Sequence, residues 1–468
     1  MTSRPSEGTP LSAEDLSFWY ADQPRQRTTM AMLLLLDRAP DPRRLAAAAW
    51  RMIEAVPRLR QRVVDAPFNL ALPRWEEDAT FDLAFHVRRY ALPEEDAGEG
   101  DEGALFQRLG PIYERPFDRT RPLWELIEID RAGGRAAIFF RLHHAVADGV
   151  GANAIFAALT DAAREGEPLP PPQAKQQPGS WPQASFGGAL ARALRDRATQ
   201  DAGHAAAIAG AVWSVVREPS LVLRAGRVAA SLVDDARHQS QSPLRDFGRA
   251  RRLAGIDVPF EPLRAARTAF GVRMVDVLLA AVAGAAGAWH RAHKLGRVTQ
   301  LQTLVPINLR PRAAQGLSAG VGNRATGIIV RLPIRIADPA KRCREIHRRV
   351  EERKAHPAAD LLPLLASVLA TMPRPLYRAL AYQSSKMIDL IVTNVPGVPV
   401  SRFVAGAEIE AAYPFAPVAP HCPISVALYG YRDRLFVGID ADATAVPDLD
   451  VFCRELARSF ERVVAASS

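Results

Sequence analysis

The sequence predicts an α/β protein (α+β, folded in two lobes), and three observations predict it. The chain has 468 residues, more than the roughly 250 to 300 that a single hydrophobic core sustains. Strand-like apolar runs and helix-like runs alternate through both halves. Between Pro168 and Pro182 the composition turns to Pro, Gln, Ser and Gly, which reads as an exposed linker. The chain therefore divides into a first lobe over 1–167, a linker over 168–185, a helical crossover over 186–252 and a second lobe over 253–468.

Taken in order, Met30 to Leu36 is an apolar strand, and Asp41-Pro42 opens an alanine-rich helix through Ala55, because proline suits the first helical turn. Phe81 to Val87 reads as another strand, and the acidic Leu92 to Glu102 as a loop. Arg115 to Trp124 holds two prolines, so no helix runs through it. A strand begins at Trp124 and continues over Leu126-Ile127-Glu128-Ile129. Past the linker, Phe186 to Gln241 is helical in composition. Its apolar part, Ala205 to Val216, has 12 residues, fewer than the about 20 that cross a bilayer. It reads as packed against the protein, the usual fate of an amphipathic helix, ahead of lying on a membrane surface. Arg245, Arg249, Arg251 and Arg252 read as a solvated face. Met274 to Trp289 is a long apolar helix, Leu301 to Pro306 a buried strand and Gly327 to Leu332 a further strand. Asp338-Pro339 starts a charged helix to about Arg353. Strands dominate from Ile388 to Ile439, and Pro447 to Ala466 closes the chain as an amphipathic helix.

The chemistry concentrates in Arg141-Leu142-His143-His144-Ala145-Val146-Ala147-Asp148-Gly149. An apolar run rich in β-formers, Ala136 to Phe140, precedes it. After Gly149 the residues Ile155, Phe156, Leu159, Ala162 and Ala163 fall on one helical face. The histidines thus occupy a strand-to-helix turn, where flanking elements hold side chains still at the edge of a cleft. An imidazole titrates near neutral pH and can take a proton from an attacking hydroxyl, a contribution of roughly 10²- to 10⁴-fold. In extended chain His143 and His144 point to opposite sides, so one of them serves as base.

His-His-x-x-x-Asp-Gly is the signature of the chloramphenicol-acetyltransferase-like acyltransferases, and the chain resembles the bacterial wax ester synthase/diacylglycerol acyltransferase family nearly end to end. The resemblance also rests on Leu11 to Asp15, Val56 to Arg62, Arg121-Pro122-Leu123-Trp124-Glu125, Val305 to Arg310, Gly322-Asn323-Arg324 and Thr393 to Gly397. It implies a chloramphenicol-acetyltransferase-like, condensation-domain-like fold, with two similar lobes and a tunnel at their interface that reaches the histidine. It implies that His144 is the base, that Asp148 is structural and pairs with Arg60 (with Arg310 as second candidate), and that Gly149 allows close backbone approach. Trp124, Asp276, Asn308, Arg310 and Asn323 are the implied substrate contacts, although Trp124 reads equally as a core aromatic. Where the family has Asn-Asp opening a helix of the second half, this chain reads Val275-Asp276. Asn308 is the expected substitute polar contact.

The implied activity is transfer of a long-chain fatty acyl group from acyl-CoA to a diacylglycerol or long-chain alcohol, giving triacylglycerol or wax ester with no covalent intermediate. Acyl-CoA is then a substrate, and no cofactor is expected. The alternatives are the same chemistry on a natural-product hydroxyl or amine with a carrier-protein donor, and an inactive lipid-binding relative. The net charge of +9 suits anionic partners such as CoA phosphates or a membrane or lipid-droplet surface. No zinc finger, helix-turn-helix or RNA-binding signature is present, which argues against nucleic acid. Cys343, Cys422 and Cys453 form neither a disulfide framework nor a zinc spacing, and no H-E-x-x-H occurs, so no metal is expected. Gly316-Leu317-Ser318-Ala319-Gly320 matches G-x-S-x-G, but its flanks lack the strand before and helix after that a nucleophile elbow needs. No apolar run opens the chain, so a cytoplasmic protein with at most peripheral membrane contact is expected. The oligomeric state is left open.

Overall fold

The computed structural model describes residues 8–24, 26–90, 102–166, 186–217, 226, 242, 247–308, 325–355, 372 and 374–467. Its strands are β1 (Thr9–Pro10), β2 (Thr29–Leu36), β3 (Gln61–Val64), β4 (Arg74–Glu77), β5 (Val87–Tyr90), β6 (Trp124–Asp130), β7 (Ala136–His143), β8 (Arg251–Pro259), β9 (Gln300–Asn308), β10 (Ala325–Pro333), β11 (Leu390–Val398), β12 (Phe403–Val404), β13 (Ala407–Phe415), β14 (Ile424–Tyr431) and β15 (Arg434–Asp442). The helices are α1 (Ala13–Ala21), α2 (Pro42–Ala55), α3 (Glu102–Glu114), α4 (Gly149–Leu159), α5 (Phe186–Arg217), α6 (Phe260–Phe270), α7 (Met274–Ala292), α8 (Pro339–Lys354), α9 (Arg374–Ser385) and α10 (Leu449–Ala465).

The strands form two six-stranded sheets, in the orders β12-β13-β2-β7-β6-β5 and β10-β9-β11-β14-β15-β8, with a small β1-β4-β3 sheet beside the first. Each large sheet anchors its own apolar core. In the second lobe α7 packs against α10, α8 and α6, and Val277 to Ala283 are all buried in the same core as Ile424, Val426 and Leu428 of β14. The two-residue alternation of β14 sends Ala427 to the opposite face, into the cavity.

Local chemistry explains most of the boundaries. Asp41 caps α2, its carboxylate accepting from Arg44 N at 2.8 Å, with Pro42 in the first turn. Asp338 and Pro339 do the same for α8. Phe81 to Val87 is not one strand: Asp82 caps a one-turn helix, Leu83–His86, before β5 starts. The side chain of an aspartate two residues before Ala84 N–H offers the backbone a turn that strand propensity cannot match. The second half also contributes to the first lobe. Strands β12 and β13 come from the second half yet complete the first sheet, with Leu36 opposite Ile409 and Ala31 opposite Phe415. The 168–185 linker lies outside the described residues. So does much of the 186–252 crossover, of which α5 is described. Among the described residues no single helix is long and apolar enough to cross a membrane.

Candidate active site

A cavity of about 340 Å³ lies between the two large sheets, and both lobes line it. The first lobe supplies Met30, Met32 and Leu34 of β2, Phe140 and Leu142 of β7, and Phe156 of α4; the second supplies Leu304, Ile391 and Ala427. Strand alternation places His144 there: Phe140, Leu142 and His144 share one side of β7 and its extension, and all three line the cavity. His143 falls on the other side and is buried.

The two histidines have different surroundings. The Ala145 N–H donates to His143 Nδ1 at 3.1 Å, so that nitrogen carries no proton. His143 Nε2–H then donates to Thr28 Oγ1 at 2.9 Å, and the Thr28 hydroxyl donates onward to the Phe18 carbonyl at 3.3 Å. Burial pushes the His143 imidazole down to about 4, against a smaller opposing pull from Asp22, so it stays neutral. His144 is partly exposed to the cavity. Its backbone N–H donates to Thr28 O at 2.7 Å, and its ring lies flat on Phe18 with centroids 3.7 Å apart and planes 13° apart.

Asp148 is buried and caps α4, Oδ1 accepting from Gly151 N at 2.9 Å. Arg60 Nε is 4.0 Å from the Glu77 carboxylate and its guanidinium lies over Phe81. Arg58, two residues earlier, also borders the motif: its Nη1 donates to Asp15 at 3.0 Å and approaches the Val146 carbonyl at 3.5 Å. The tight 3-10 turn Pro57–Arg60 sends the two side chains to different sides. Gly149 opens α4, but a Cβ there would meet Val395 Cγ2 at an ordinary 3.6 Å, so close approach does not require the glycine.

Two expected substrate contacts, Trp124 and Asp276, are placed elsewhere. Trp124 is a core residue, 1 % exposed, donating Nε1–H to the Leu59 carbonyl at 2.8 Å and stacking on His86. Asp276 belongs to the start of α7, where its Oδ2 accepts from Arg273 N at 2.8 Å and sits 2.7 Å from His347 Nδ1. Val275 packs against the second core, an apolar side chain where the family has an amide. Asn308 ends β9 with its backbone opposite Ala325; its side chain, Arg310, Asn323 and the G-x-S-x-G stretch lie outside the described residues. Arg251, expected on a solvated face, is buried and paired with Asp442 at 3.0 Å. It lines a smaller polar cavity of about 200 Å³, with Glu114, Arg249 and Asp440, that shares Val418 with the large one.

No local motif marks Phe18, Thr28, Asn153 or Tyr377, all of which line the main cavity. Asn153 Oδ1 accepts from the Tyr429 hydroxyl at 3.4 Å, a polar station within apolar walls. Among the described residues no group of three His, Cys, Asp or Glu side chains could hold a metal.

Two family models match the chain. The wax ester synthase/diacylglycerol acyltransferase catalytic domain matches residues 11–278, and the C-terminal domain of the same family matches residues 321–463. A putative diacylglycerol O-acyltransferase of Mycobacterium tuberculosis strain H37Rv is 30% identical over 452 residues, covering 94% of this chain and 89% of that protein. A probable diacylglycerol O-acyltransferase of the same strain is 27% identical over 468 residues, covering 98% and 96%. Among solved structures, the wax ester synthase/diacylglycerol acyltransferase from Marinobacter aquaeolei VT8 superposes with a TM-score of 0.62 at 19% identity, covering 98% of this chain and all of that one. The first condensation domain of the calcium-dependent antibiotic synthetase gives 0.63 at 18% identity, covering 99% and 97%. The two-lobed architecture is thus the one those proteins share.

Proposed function

The chain belongs to the wax ester synthase/diacylglycerol acyltransferase family, and from that premise we propose that it transfers a long-chain fatty acyl group from acyl-CoA to the hydroxyl of a diacylglycerol or a long-chain alcohol. The observation that carries the reading is the apolar cavity between the sheets, with one partly exposed imidazole, His144, in its wall. Methionine, leucine and phenylalanine walls suit hydrocarbon, each buried CH₂ contributing about 0.8 kcal/mol before ordering costs.

In the proposed reaction a ring nitrogen of His144 takes the acceptor hydroxyl proton as the oxygen attacks the thioester carbonyl. The new C–O bond leaves a tetrahedral oxyanion, whose stabilisation we assign to the start of α4 at Gly149, where the helix dipole favours negative charge. Collapse breaks the C–S bond, and the thiolate recovers the proton from the imidazolium. The neutral, fully hydrogen-bonded His143 takes no proton; it holds the turn.

Acceptors of this class arrive from a lipid surface. On α9, Tyr377 lines the cavity while Leu376 and Leu380 are 54% and 41% exposed, and we assign the lipid-facing side to that helix. Leu376→Glu with Leu380→Glu is expected to weaken flotation with anionic vesicles.

The test is CoA release by purified protein given palmitoyl-CoA with hexadecanol, dioleoylglycerol or no acceptor, with lipid products resolved. Acceptor-dependent release with wax ester or triacylglycerol supports the reading. Release without acceptor means thioester hydrolysis, and no release with any acceptor moves the protein to carrier-bound donors or to lipid binding.

A further inference from the structure

The contact between Phe18 and His144 is unusual for two neutral rings. Neutral aromatic pairs favour offset or edge-on arrangements with centroids about 4.5 to 7 Å apart. Here the rings lie nearly parallel with centroids 3.7 Å apart. Face-on contact within about 6 Å is instead the arrangement of a cation over an aromatic ring.

The stack is also built in. Helix α1 carries Phe18 and is fixed by the buried Leu16 and Trp19, and by Ser12, which accepts from Asp15 N at 3.0 Å. The Phe18 carbonyl accepts the Thr28 hydroxyl, the Thr28 carbonyl accepts the His144 N–H, and Thr28 Oγ1 is held by His143. The backbones that carry Phe18 and His144 therefore hang on one threonine, which fixes the distance from which the two rings reach each other.

We propose that Phe18 is a positioning residue for acyl transfer, its ring face stabilising the imidazolium that His144 becomes and fixing the plane in which it meets the hydroxyl. This rests on His144 being the base. Among the described residues, Asp148 of α4 and Tyr377 of α9 are ionisable groups in the cavity wall with the imidazole, with His143 beside it and Asp22, Arg27 and Arg119 acting on His143. A change at Phe18 alters none of them.

The experiment is the pH profile of kcat and kcat/KM for Phe18→Leu and Phe18→Trp, beside the unaltered protein and His144→Ala, with palmitoyl-CoA and the acceptor preferred in the release assay. Loss of the ring face from Phe18→Leu should lower kcat about 3- to 10-fold and move the acid limb down by about 0.5 to 1 pH unit, with KM unchanged. Phe18→Trp should keep the limb in place, since indole binds cations at least as well. A kcat loss with the limb unmoved in Phe18→Leu, a raised KM alone, or no change would each overturn the proposal. If Phe18→Leu does not fold, a limb lowered in Phe18→Trp overturns it. Near-normal turnover by His144→Ala would instead sink the assignment of the base.

Discussion

The guanidinium of Arg141 meets the carboxylate of Glu125 at 2.6 Å in the interior, directly before the two histidines in sequence. Arg115 reaches the same carboxylate oxygen at 2.7 Å, and Arg141 donates to the Tyr113 and Arg115 carbonyls. One carboxylate thus serves two guanidiniums, and the β6–β7 pairing that puts Glu125 opposite Arg141 makes the contact. Within Pro122-Leu123-Trp124-Glu125, Glu125 thus ties β6 to β7.

Removing Glu125 would leave the fully buried Arg141 uncompensated. Glu125→Gln should cost about 3 to 5 kcal/mol, read from urea unfolding. A variant with Arg141→Met as well should recover part of that loss. Equal stability of Glu125→Gln and the unaltered protein would show that the pair contributes nothing.

His144→Ala should lose about 10²- to 10⁴-fold in ester formation while its circular dichroism and melting stay close to those of the unaltered protein, since the ring faces the cavity. His143→Ala should instead lower the melting temperature, because it leaves Thr28 and Ala145 N–H without their shared partner. The reverse pattern would exchange the two roles.

For Asp148 the capping bond predicts a moderate effect. Asp148→Ala should cost about 0.5 to 2 kcal/mol through the loss of the α4 cap, and Asp148→Asn, which keeps an accepting oxygen, should cost less. Ester formation should fall with Asp148→Ala because the helix start borders the cavity. An Asn variant as unstable as the Ala variant would mean that the charge, rather than the cap, matters.

Two buried groups give opposite pH dependences. Burial pushes the Asp440 carboxyl up to about 7 from 3.8, so the folded state favours its proton. That contribution is complete below 3.8 and is lost as pH rises through about 7. Burial pushes His143 down from 6.5 to about 4, so its contribution is present above 6.5 and is lost as pH falls toward 4. Asp440→Asn should therefore melt higher than the unaltered protein at pH 8, and should show a stability that climbs from pH 4 to 6.5 as His143 loses its proton in the unfolded chain. Identical melting at pH 8 would refute the assignment to Asp440.

The local parts of this architecture were legible in the sequence. Asp41-Pro42 and Asp338-Pro339 announced two helix starts, and the change from strand period to helix period across the histidines placed the turn. What sequence pattern could not reach are contacts between distant segments. Phe18 and Thr28 carry no motif of their own, and only the pairing of β2 with β7 brings Thr28 to His143. Trp124 and Asp276 stand in stretches whose family resemblance implies substrate contact, but both are occupied with backbone: one with the Leu59 carbonyl, the other with Arg273 N–H. A motif marks that a residue matters without marking whether it faces the cavity or the core. Asp82 shows the smaller failure, where a side-chain cap overrode a run of β-formers.

The visit of β13 to the first sheet has a consequence for biosynthesis. As the chain leaves the ribosome, β2, β7 and β6 can pair early, but the outer edge of β2 stays open until residues 407–415 emerge. Phe415 and Val418, which close the cavity, arrive in the same late segment. The nascent protein thus carries its histidines for most of translation without an enclosed chamber around them. An open strand edge is a site for wrong pairing, so premature termination before β13 should yield insoluble chains rather than a weakly active half.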